Sequence, residues 1–248
     1  MLIEDLNNNM PKVREYNNGE LRCGGISVIL PVYNEEGNIE NVFKSIVGFL
    51  PKISREYEII LIDDGSIDAT YDIIGHLSRD LSYVKMIHYS KNKGYGDALK
   101  SGFEIARFPL IFFMDSDGQF DVLDIEKLIA YVDEYDMVVG VRSVRRDSLY
   151  RVILGRIYNK LICILFGIRQ KDITCGFKLV KKSVLDVLPL KSGSGFINAE
   201  ILVGAARKGI LIKEVHIRHL PRINGIPRGA NIKVFIRKLI EMYSFWWK

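Results

Sequence analysis

Cysteine is scarce in this sequence of 248 residues. The three cysteines, Cys23, Cys163 and Cys175, lie far apart and form no Cys-x-x-Cys pair. Disulfide frameworks and structural zinc sites both need cysteines at short, paired spacings, so the sequence indicates neither. His216 and His219 are three positions apart in a predicted strand and would face opposite sides of it, which argues against a metal site shared by the two.

Long apolar runs are absent too. The longest, residues 161–166, is far shorter than the roughly 20 apolar residues that a membrane-spanning helix needs. Residues 1–25 contain clusters of asparagine and lack the apolar segment of a secretory signal. We therefore expect a cytoplasmic protein that meets the cytosolic face of a membrane only by peripheral contact.

Familiar nucleotide motifs are also missing. The sequence has no GxxxxGK(S/T) segment, which excludes a P-loop, and Gly94 and Gly96 lack the spacing and the following acid of a dinucleotide fingerprint. No aromatic-rich basic strand or recognition-helix motif indicates nucleic-acid binding. The formal net charge of +5 nevertheless favours an anionic partner, such as a phosphate or an acidic membrane surface.

What the sequence does have is an alternation of strand and helix signals. This alternation predicts an α/β fold with a mostly parallel, Rossmann-like sheet and helices on both faces. Short apolar runs predict strands at 26–32, 58–62, 84–88, 110–114, 137–141, 178–180 and 210–218. Helical spacing in the second half predicts helices at 148–166 and 198–208.

Acidic or amide side chains follow three of these strands, at the edge where ligands of parallel sheets bind. The clusters are Asn34 with Glu35, Asp63 with Asp64, and Asp115 with Asp117. Asp115, Asp117 and Gln119 occupy alternate positions, which point the same way in an extended backbone. Hard oxygen ligands suit Mg²⁺ or Mn²⁺ shared with substrate phosphates, and a solvated turn is the alternative interpretation.

A basic segment follows the fifth predicted strand. Residues 142–160 carry six arginines and lysines against one acid, Asp147. Guanidinium groups bind phosphate oxygens by charge-assisted hydrogen bonds. The arginine-rich segment therefore favours an anionic, phosphate-bearing ligand.

The C-terminal residues 229–248 have the spacing of an amphipathic helix. One interpretation is a helix that packs on the protein or on a second subunit. The other is an interfacial membrane helix, because cations flank the stripe and tryptophans end it. The stripe consists of Ile232, Phe235, Ile236, Leu239, Ile240, Tyr243, Trp246 and Trp247.

Seven motifs in order resemble the family 2 glycosyltransferases, which have the GT-A fold, and among them the dolichyl- or polyprenyl-phosphate mannosyl and glucosyl synthases. The motifs are LPVYNE (30–35), DDGSIDAT (63–70), NKGYG (92–96), DSDGQ (115–119), GVRS (140–143), DITCGFK (172–178) and FINAE (196–200). The resemblance runs from about Ile26 to Arg228. It implies an N-terminal extension at 1–25, a GT-A domain at 26–228 and the amphipathic helix at 229–248.

The resemblance implies an inverting, metal-dependent hexosyltransferase that moves mannose or glucose from a GDP- or UDP-hexose to a polyprenyl or dolichyl phosphate. It assigns the donor nucleotide to Pro31, Tyr33, Glu35, Asp63 and Asp64. It assigns Mg²⁺ or Mn²⁺ to Asp115, Asp117 and Gln119, and the acceptor phosphate to Arg142 and Arg151, helped by Arg156. Where related enzymes often have a serine four residues after the arginine that Arg151 matches, this chain has Gly155, so one acceptor contact is missing or replaced.

Two alternatives remain open at this stage. The acceptor is a saccharide hydroxyl, with Asp172 or Glu200 as the catalytic base, or the chain is a non-catalytic basic binding protein. The sequence does not identify the sugar, the nucleotide or the lipid. It does not identify the oligomeric state either.

Overall fold

A computed structural model describes residues 24–146, 148–225 and 232–246. The expectations for Cys23, Asp147 and Trp247, and for nearly all of the predicted N-terminal extension, fall outside these ranges.

Within the described residues, seven strands form one mixed sheet in the order β3-β2-β1-β4-β6-β5-β7. Neighbouring strands run parallel except that β6 runs antiparallel to both β4 and β5. The predicted α/β class and mostly parallel sheet are thus confirmed. The strands are β1 (Ile26–Val32), β2 (Tyr57–Asp63), β3 (Val84–His88), β4 (Leu110–Phe113), β5 (Met137–Arg142), β6 (Lys178–Lys181) and β7 (Ile212–Ile217).

Helices cover both faces of this sheet. In the described part of the chain they are α1 (Ile39–Ile53), α2 (Thr70–Ser78), α3 (Tyr95–Ile105), α4 (Ile125–Ile129), α5 (Leu149–Phe166), α6 (Lys182–Asp186), α7 (Ile197–Arg207) and α8 (Ile232–Trp246). A 3₁₀ turn at Val122–Asp124 precedes α4. The sequence did not predict α4 and α6, which are too short to show helical periodicity.

The sheet separates two cores because successive side chains of a strand point to opposite faces. On β1, Val28 and Leu30 pack with α1, whereas Ile29 packs with α3 and α7. Buried strands of this kind read as continuous apolar runs, which is why their positions are visible in the sequence.

Strand direction brings the predicted motifs to one edge of the sheet. The carboxyl ends of β1, β2, β4 and β5 meet there, and so does the amino end of β6, because Phe113 of β4 pairs with Lys178 of β6. The reversed strand thereby places the DITCGFK motif (172–178) beside the DSDGQ motif (115–119).

Helix α8 packs against α5 and α7 across this edge. The ring of Phe245 lies 5.6 Å, centroid to centroid, from each of the rings of Phe166 and Phe196. Residues Ile232–Trp246 of the predicted segment 229–248 are thus helical, and Phe245 of this helix packs on the rest of the protein. Its role at a membrane stays a prediction.

Candidate active site

A cavity of about 440 Å³ opens at this edge of the sheet, and its lining contains acidic and basic side chains that come from different elements. The acidic wall comes from the strand ends and includes Glu35, Asp64, Asp115 and Asp117. The basic wall comes from the segment after β5, from α5 and from α8, and includes Arg142, Arg145, Arg151, Arg237 and Lys238.

On the acidic side, Asp64 organises the NKGYG motif (92–96). Its carboxylate accepts the backbone N–H groups of Lys93, at 2.7 Å, and Gly94, at 2.9 Å. Burial raises the pKa of Asp64. Of the other residues predicted to bind the donor nucleotide, Pro31, Tyr33 and Glu35 also line the cavity.

Asp63 lies elsewhere. Its buried carboxylate pairs with Nδ1 of His88 at 2.7 Å and accepts the backbone N–H of Ser66 at 3.1 Å. Asp63 is not among the residues that line the cavity. Adjacent positions in a strand point to opposite faces, so only one of the two neighbouring aspartates faces the site.

Asp115 and Asp117 face the cavity together. The hydroxyl of Tyr95 donates to Oδ1 of Asp115 at 2.7 Å. A Cβ atom at Gly176 would overlap the Asp115 carboxylate, so only glycine leaves room for it there. Burial, and after it the charge of Asp115, raises the pKa of Asp117 to about 6.

Gln119 departs from the predicted arrangement. The backbone turns at Gly118, whose φ is +73°, so residues 115–119 are not extended. The Gln119 side chain is buried, its Nε2 donates to the carbonyl of Leu220 at 3.3 Å, and it does not line the cavity. The expectation that three side chains point to one place therefore holds for the two aspartates and is wrong for Gln119.

The two aspartates suit a divalent cation. They are carboxylates held close enough that ionising both is unfavourable, and a cation would relieve this. Mg²⁺ is usually bound by one or two carboxylates together with substrate phosphates. In the described ranges, no group of three or more His, Cys, Asp or Glu side chains is arranged to hold a metal.

Arg222, which the sequence interpretation missed, rests on this acidic wall. Its guanidinium lies 2.7 Å from Glu35 and 3.2 Å from Oδ2 of Asp117. Arg222 follows β7, whose carboxyl end meets the same edge of the sheet because β7 pairs in parallel with β5. The position of Arg222 shortly after a predicted strand is the sequence feature that could have identified it.

On the basic side, Arg142 is already paired. Its Nε and Nη2 donate to Asp172 at 2.7 Å each, and Nη2 also donates to Thr174 at 2.8 Å. Burial alone would raise the pKa of Asp172, but the hydrogen bonds and charge of Arg142 hold it below its usual value. Arg142 therefore contributes to the wall as half of a buried ion pair.

Glu200 is remote from the cavity. It is buried, and its two carboxylate oxygens accept the backbone N–H groups of Lys191, at 2.9 Å, and Ser192, at 2.8 Å. Glu200 is not among the lining residues. The geometry gives it a structural task, which is to hold the segment that contains Ser194, a lining residue.

Beneath the cavity, a buried lysine joins two of the motifs. Nζ of Lys178 donates to Oδ1 of Asn198 at 2.6 Å and to the carbonyl of Cys175. Burial lowers the pKa of Lys178 to about 8. Asn198 lines the cavity, so this contact fixes a wall residue from below.

Helix α8 supplies cations that we had expected to face solvent or lipid. Lys238 is half-buried, and burial lowers its pKa. The nearby guanidinium groups of Arg151, Arg142 and Arg145 act in the same direction, and Asp115 opposes them. Glu241 accepts the hydroxyl of Ser194 at 2.6 Å and so fastens α8 over the site.

Arg151 and Arg156, both predicted to serve the acceptor, lie on different sides of α5. Arg151 lines the charged cavity, whereas Arg156 lines a second, adjoining cavity of about 460 Å³. Arg142 and Arg145 line both cavities.

Across the described segments, no helix has the length and apolar character needed to span a bilayer.

Comparison with protein families gives a match over residues 27–188 to the model described as glycosyl transferase family 2. Among curated proteins, the chain is 31% identical over 217 residues to undecaprenyl-phosphate 4-deoxy-4-formamido-L-arabinose transferase of Aeromonas hydrophila, which covers 84% of this chain and 63% of that protein. It is 32% identical over 220 residues to dolichyl-phosphate beta-glucosyltransferase of Saccharomyces cerevisiae, covering 77% and 66%. The chain thus spans less than two thirds of the length of each of these relatives.

Solved structures share the fold. Glucosyl-3-phosphoglycerate synthase from Mycobacterium tuberculosis in complex with phosphoglyceric acid superposes with a TM-score of 0.68 at 20% identity, over 88% of this chain and 79% of that one. The same enzyme in complex with Mg²⁺ and uridine diphosphate gives a TM-score of 0.67 at 19% identity, with the same coverage. At these identities the likeness concerns the fold, and it agrees with the GT-A fold that the sequence motifs imply.

Proposed function

Because the chain belongs to glycosyl transferase family 2, we propose that it transfers a hexose from a nucleotide sugar to a polyprenyl phosphate. The observation that carries this proposal is the cavity whose lining combines four carboxylates with a group of arginines and a lysine. The curated relatives support a lipid-phosphate acceptor, since their names specify undecaprenyl phosphate and dolichyl phosphate. A solved relative crystallised with Mg²⁺ and uridine diphosphate supports a nucleotide donor.

The donor binds on the acidic wall in this proposal. Pro31, Tyr33 and Glu35 follow β1 and surround the nucleotide, a GDP or UDP unit, with Asp64. Carboxylates accept the N–H groups of a base and the hydroxyls of a ribose. Asp63 does not line the cavity, but it stabilises the segment after β2 through its contacts with Ser66 and His88.

Asp115 and Asp117 are the residues that would hold Mg²⁺ or Mn²⁺ together with the donor diphosphate. Such an ion would supply Lewis-acid stabilisation of the negative charge that develops on the departing nucleoside diphosphate. Tyr95 keeps Asp115 oriented toward the cavity by its hydrogen bond. The Gln119 side chain donates to the carbonyl of Leu220, so it would have to give up that hydrogen bond to become the third predicted metal ligand.

The acceptor binds against the basic wall. A polyprenyl monophosphate carries about −1.5 to −2 charges near neutral pH, so one of its oxygens is a ready nucleophile. Arg151 holds the phosphate by charge-assisted hydrogen bonds, and Arg142, anchored by Asp172, adds positive potential. The phosphate oxygen attacks the anomeric carbon as the diphosphate leaves, which inverts that carbon.

A saccharide acceptor is supported less well, because neither candidate base is suited to accept a proton. Asp172 is committed to Arg142, and Glu200 is committed to two backbone N–H groups away from the cavity. A general base must lie within hydrogen-bond reach of the proton that it removes.

Peripheral docking at the cytosolic face of the membrane completes the proposal. Both helices that carry the basic wall expose apolar side chains. On α5 these are Leu149, Tyr150, Ile153, Ile157 and Ile164, and on α8 they are Ile236, Ile240 and Tyr243. Apolar side chains beside cations are typical of interfacial helices.

A transfer screen tests the function. UDP-glucose, GDP-mannose and related radiolabelled donors are incubated with undecaprenyl or dolichyl phosphate, with Mg²⁺, with Mn²⁺, or with excess chelator. We expect label in the lipid phase for at least one donor, with metal only. The Asp117→Ala variant serves as the inactive control. Transfer to a saccharide hydroxyl, with none to any lipid phosphate, would contradict the proposal.

A further inference from the structure

Helix α5 has a glycine at an interior position, Gly155, where glycine is an unfavourable residue for a helix. Its φ is not in the left-handed region, so backbone conformation does not require glycine. The requirement is steric. A Cβ atom at Gly155 would overlap Nη1 of Arg145, and it would lie only 3.3 Å from Cζ and 3.5 Å from Nη2. Gly155 therefore forms a notch that seats the Arg145 guanidinium.

This seat places Arg145 in the basic wall. Arg145 follows β5, is half-buried, and lines the charged cavity together with Arg151. Its charge contributes to the pKa shifts of both Asp172 and Lys238. The guanidinium therefore belongs to the group of cations that lines the cavity.

We propose that Arg145, seated on Gly155, is an acceptor-phosphate ligand that helps to select a phosphate over a neutral acceptor. This inference rests on the proposed function, which it deepens by naming a residue for the acceptor. Arg142 already gives three hydrogen bonds to Asp172 and Thr174. A dianionic phosphate needs several charged donors, and a planar guanidinium meets two of its oxygens at once.

Gly155→Ala is the sharpest test, because it adds one methyl group and removes no charged side chain. We expect it to move Arg145 from its seat and to raise the KM for polyprenyl phosphate about tenfold, as for the loss of one charged hydrogen bond. Affinity for the donor nucleotide should stay within about twofold of wild type, because the acidic wall is untouched. The melting temperature should not fall, since alanine favours a helix.

Two further variants separate a ligand from a packing residue. Arg145→Ala should raise the acceptor KM as much as Gly155→Ala does, and adding Gly155→Ala to it should cost nothing more, because both remove the same contact. Gly48→Ala, at a helix-interior glycine of α1 with open space around its Cβ position, is the matched control. It should leave the acceptor KM unchanged.

The outcomes are distinct. If wild-type protein transfers hexose to polyprenyl phosphate and Gly155→Ala and Arg145→Ala leave the acceptor KM unchanged, the inference is wrong and the proposed function stands. The inference also fails if the two effects simply add, or if nucleotide affinity falls as much as acceptor affinity. If wild-type protein transfers hexose to no polyprenyl phosphate, the proposed function itself has failed.

Discussion

The two walls of the cavity differ in which elements supply their side chains and in how those side chains are held. The acidic wall consists of short side chains placed directly after β1, β2 and β4, and Asp64 is fixed there by two backbone N–H groups. The basic wall consists of long side chains from α5, α8 and the segment after β5, held by other side chains or by a notch in a helix. In the proposed function, one wall meets phosphate through a cation held by carboxylates, and the other meets it directly with guanidinium groups.

This difference separates the two substrates of a transferase. A donor diphosphate has to leave, so its charge is best neutralised by an ion that stabilises the developing negative charge. An acceptor phosphate has to attack, so it is best held by groups that orient it without removing its nucleophilic oxygen. Changes in the acidic wall should therefore affect turnover, and changes in the basic wall should affect use of the acceptor.

Asp117→Asn should have the largest effect. The substitution keeps the size of the side chain and removes one of the two carboxylates that suit the cation. We expect transfer to fall by at least about 100-fold, since metal stabilisation of a leaving group contributes several kcal/mol. Binding of Mn²⁺ in the presence of nucleoside diphosphate, measured by titration calorimetry, should weaken in parallel. Full activity of this variant in excess chelator would show that the acidic wall works without a metal.

Arg142→Ala should act mainly on stability, because it leaves the buried Asp172 carboxylate without its partner. Both side chains are nearly buried, at 9% and 10% exposure. Breaking a buried ion pair in this way costs about 3–5 kcal/mol, whereas replacing both partners by apolar residues is often neutral. The double variant Arg142→Met with Asp172→Leu should thus regain most of the free energy of unfolding in urea, yet still use the acceptor poorly. If the double variant recovers both its stability and its use of the acceptor, Arg142 does not contribute to acceptor binding.

The acidic wall is also the part that the sequence predicts well. The range predicted for β1, 26–32, matches Ile26–Val32, and the range for β3, 84–88, matches Val84–His88. Apolar runs mark buried strands, and polar residues that directly follow a strand must lie at its carboxyl end. Gln119 is the exception, because the turn at Gly118 breaks the alternation that the prediction assumed.

The basic wall was harder to predict, because it depends on which side of a helix faces inward. On α8, Phe245 packs inside, whereas Ile236 and Ile240, which belong to the predicted apolar stripe, are exposed. Cations beside such a stripe are equally compatible with a site, a membrane or solvent, so the sequence did not place Lys238 in the cavity. Gly155 was visible as a departure from the family pattern, but only the structure reveals that Arg145 fills its space.

Arg151→Ala should have a moderate effect confined to the acceptor. Arg151 lines the cavity from the first turn of α5 and is half-buried. A charge-assisted hydrogen bond contributes about 1.5–3 kcal/mol, so we expect the acceptor KM to rise about 10- to 100-fold with donor affinity unchanged. Arg79→Ala, an exposed arginine at the end of α2, is the control. Loss of donor binding with intact acceptor binding would mean that the two walls have been assigned the wrong way round.

The smallest effect is expected at the outer surface of the basic wall. Ile157 of α5 and Ile240 of α8 are 57% and 61% exposed, and Leu211, at the opposite edge of the sheet, is 57% exposed. If the wall faces a membrane, Ile157→Ser with Ile240→Ser should weaken liposome binding by about 1 kcal/mol per side chain, and Leu211→Ser should not. Point substitutions are preferable to removing α8, because Lys238 and Phe245 belong to the site and the core.

Transfer to two acceptors of different length shows what a change in liposome binding means. Transfer to a long-chain polyprenyl phosphate in liposomes should slow in the double variant, whereas transfer to a short, soluble analogue should be unchanged, because the cavity itself is intact. If liposome binding is unaffected and sedimentation shows that a wild-type dimer dissociates in the variant, the apolar surface is a subunit interface. The basic wall would then face a second copy of the chain, and the lipid phosphate would have to approach from another side.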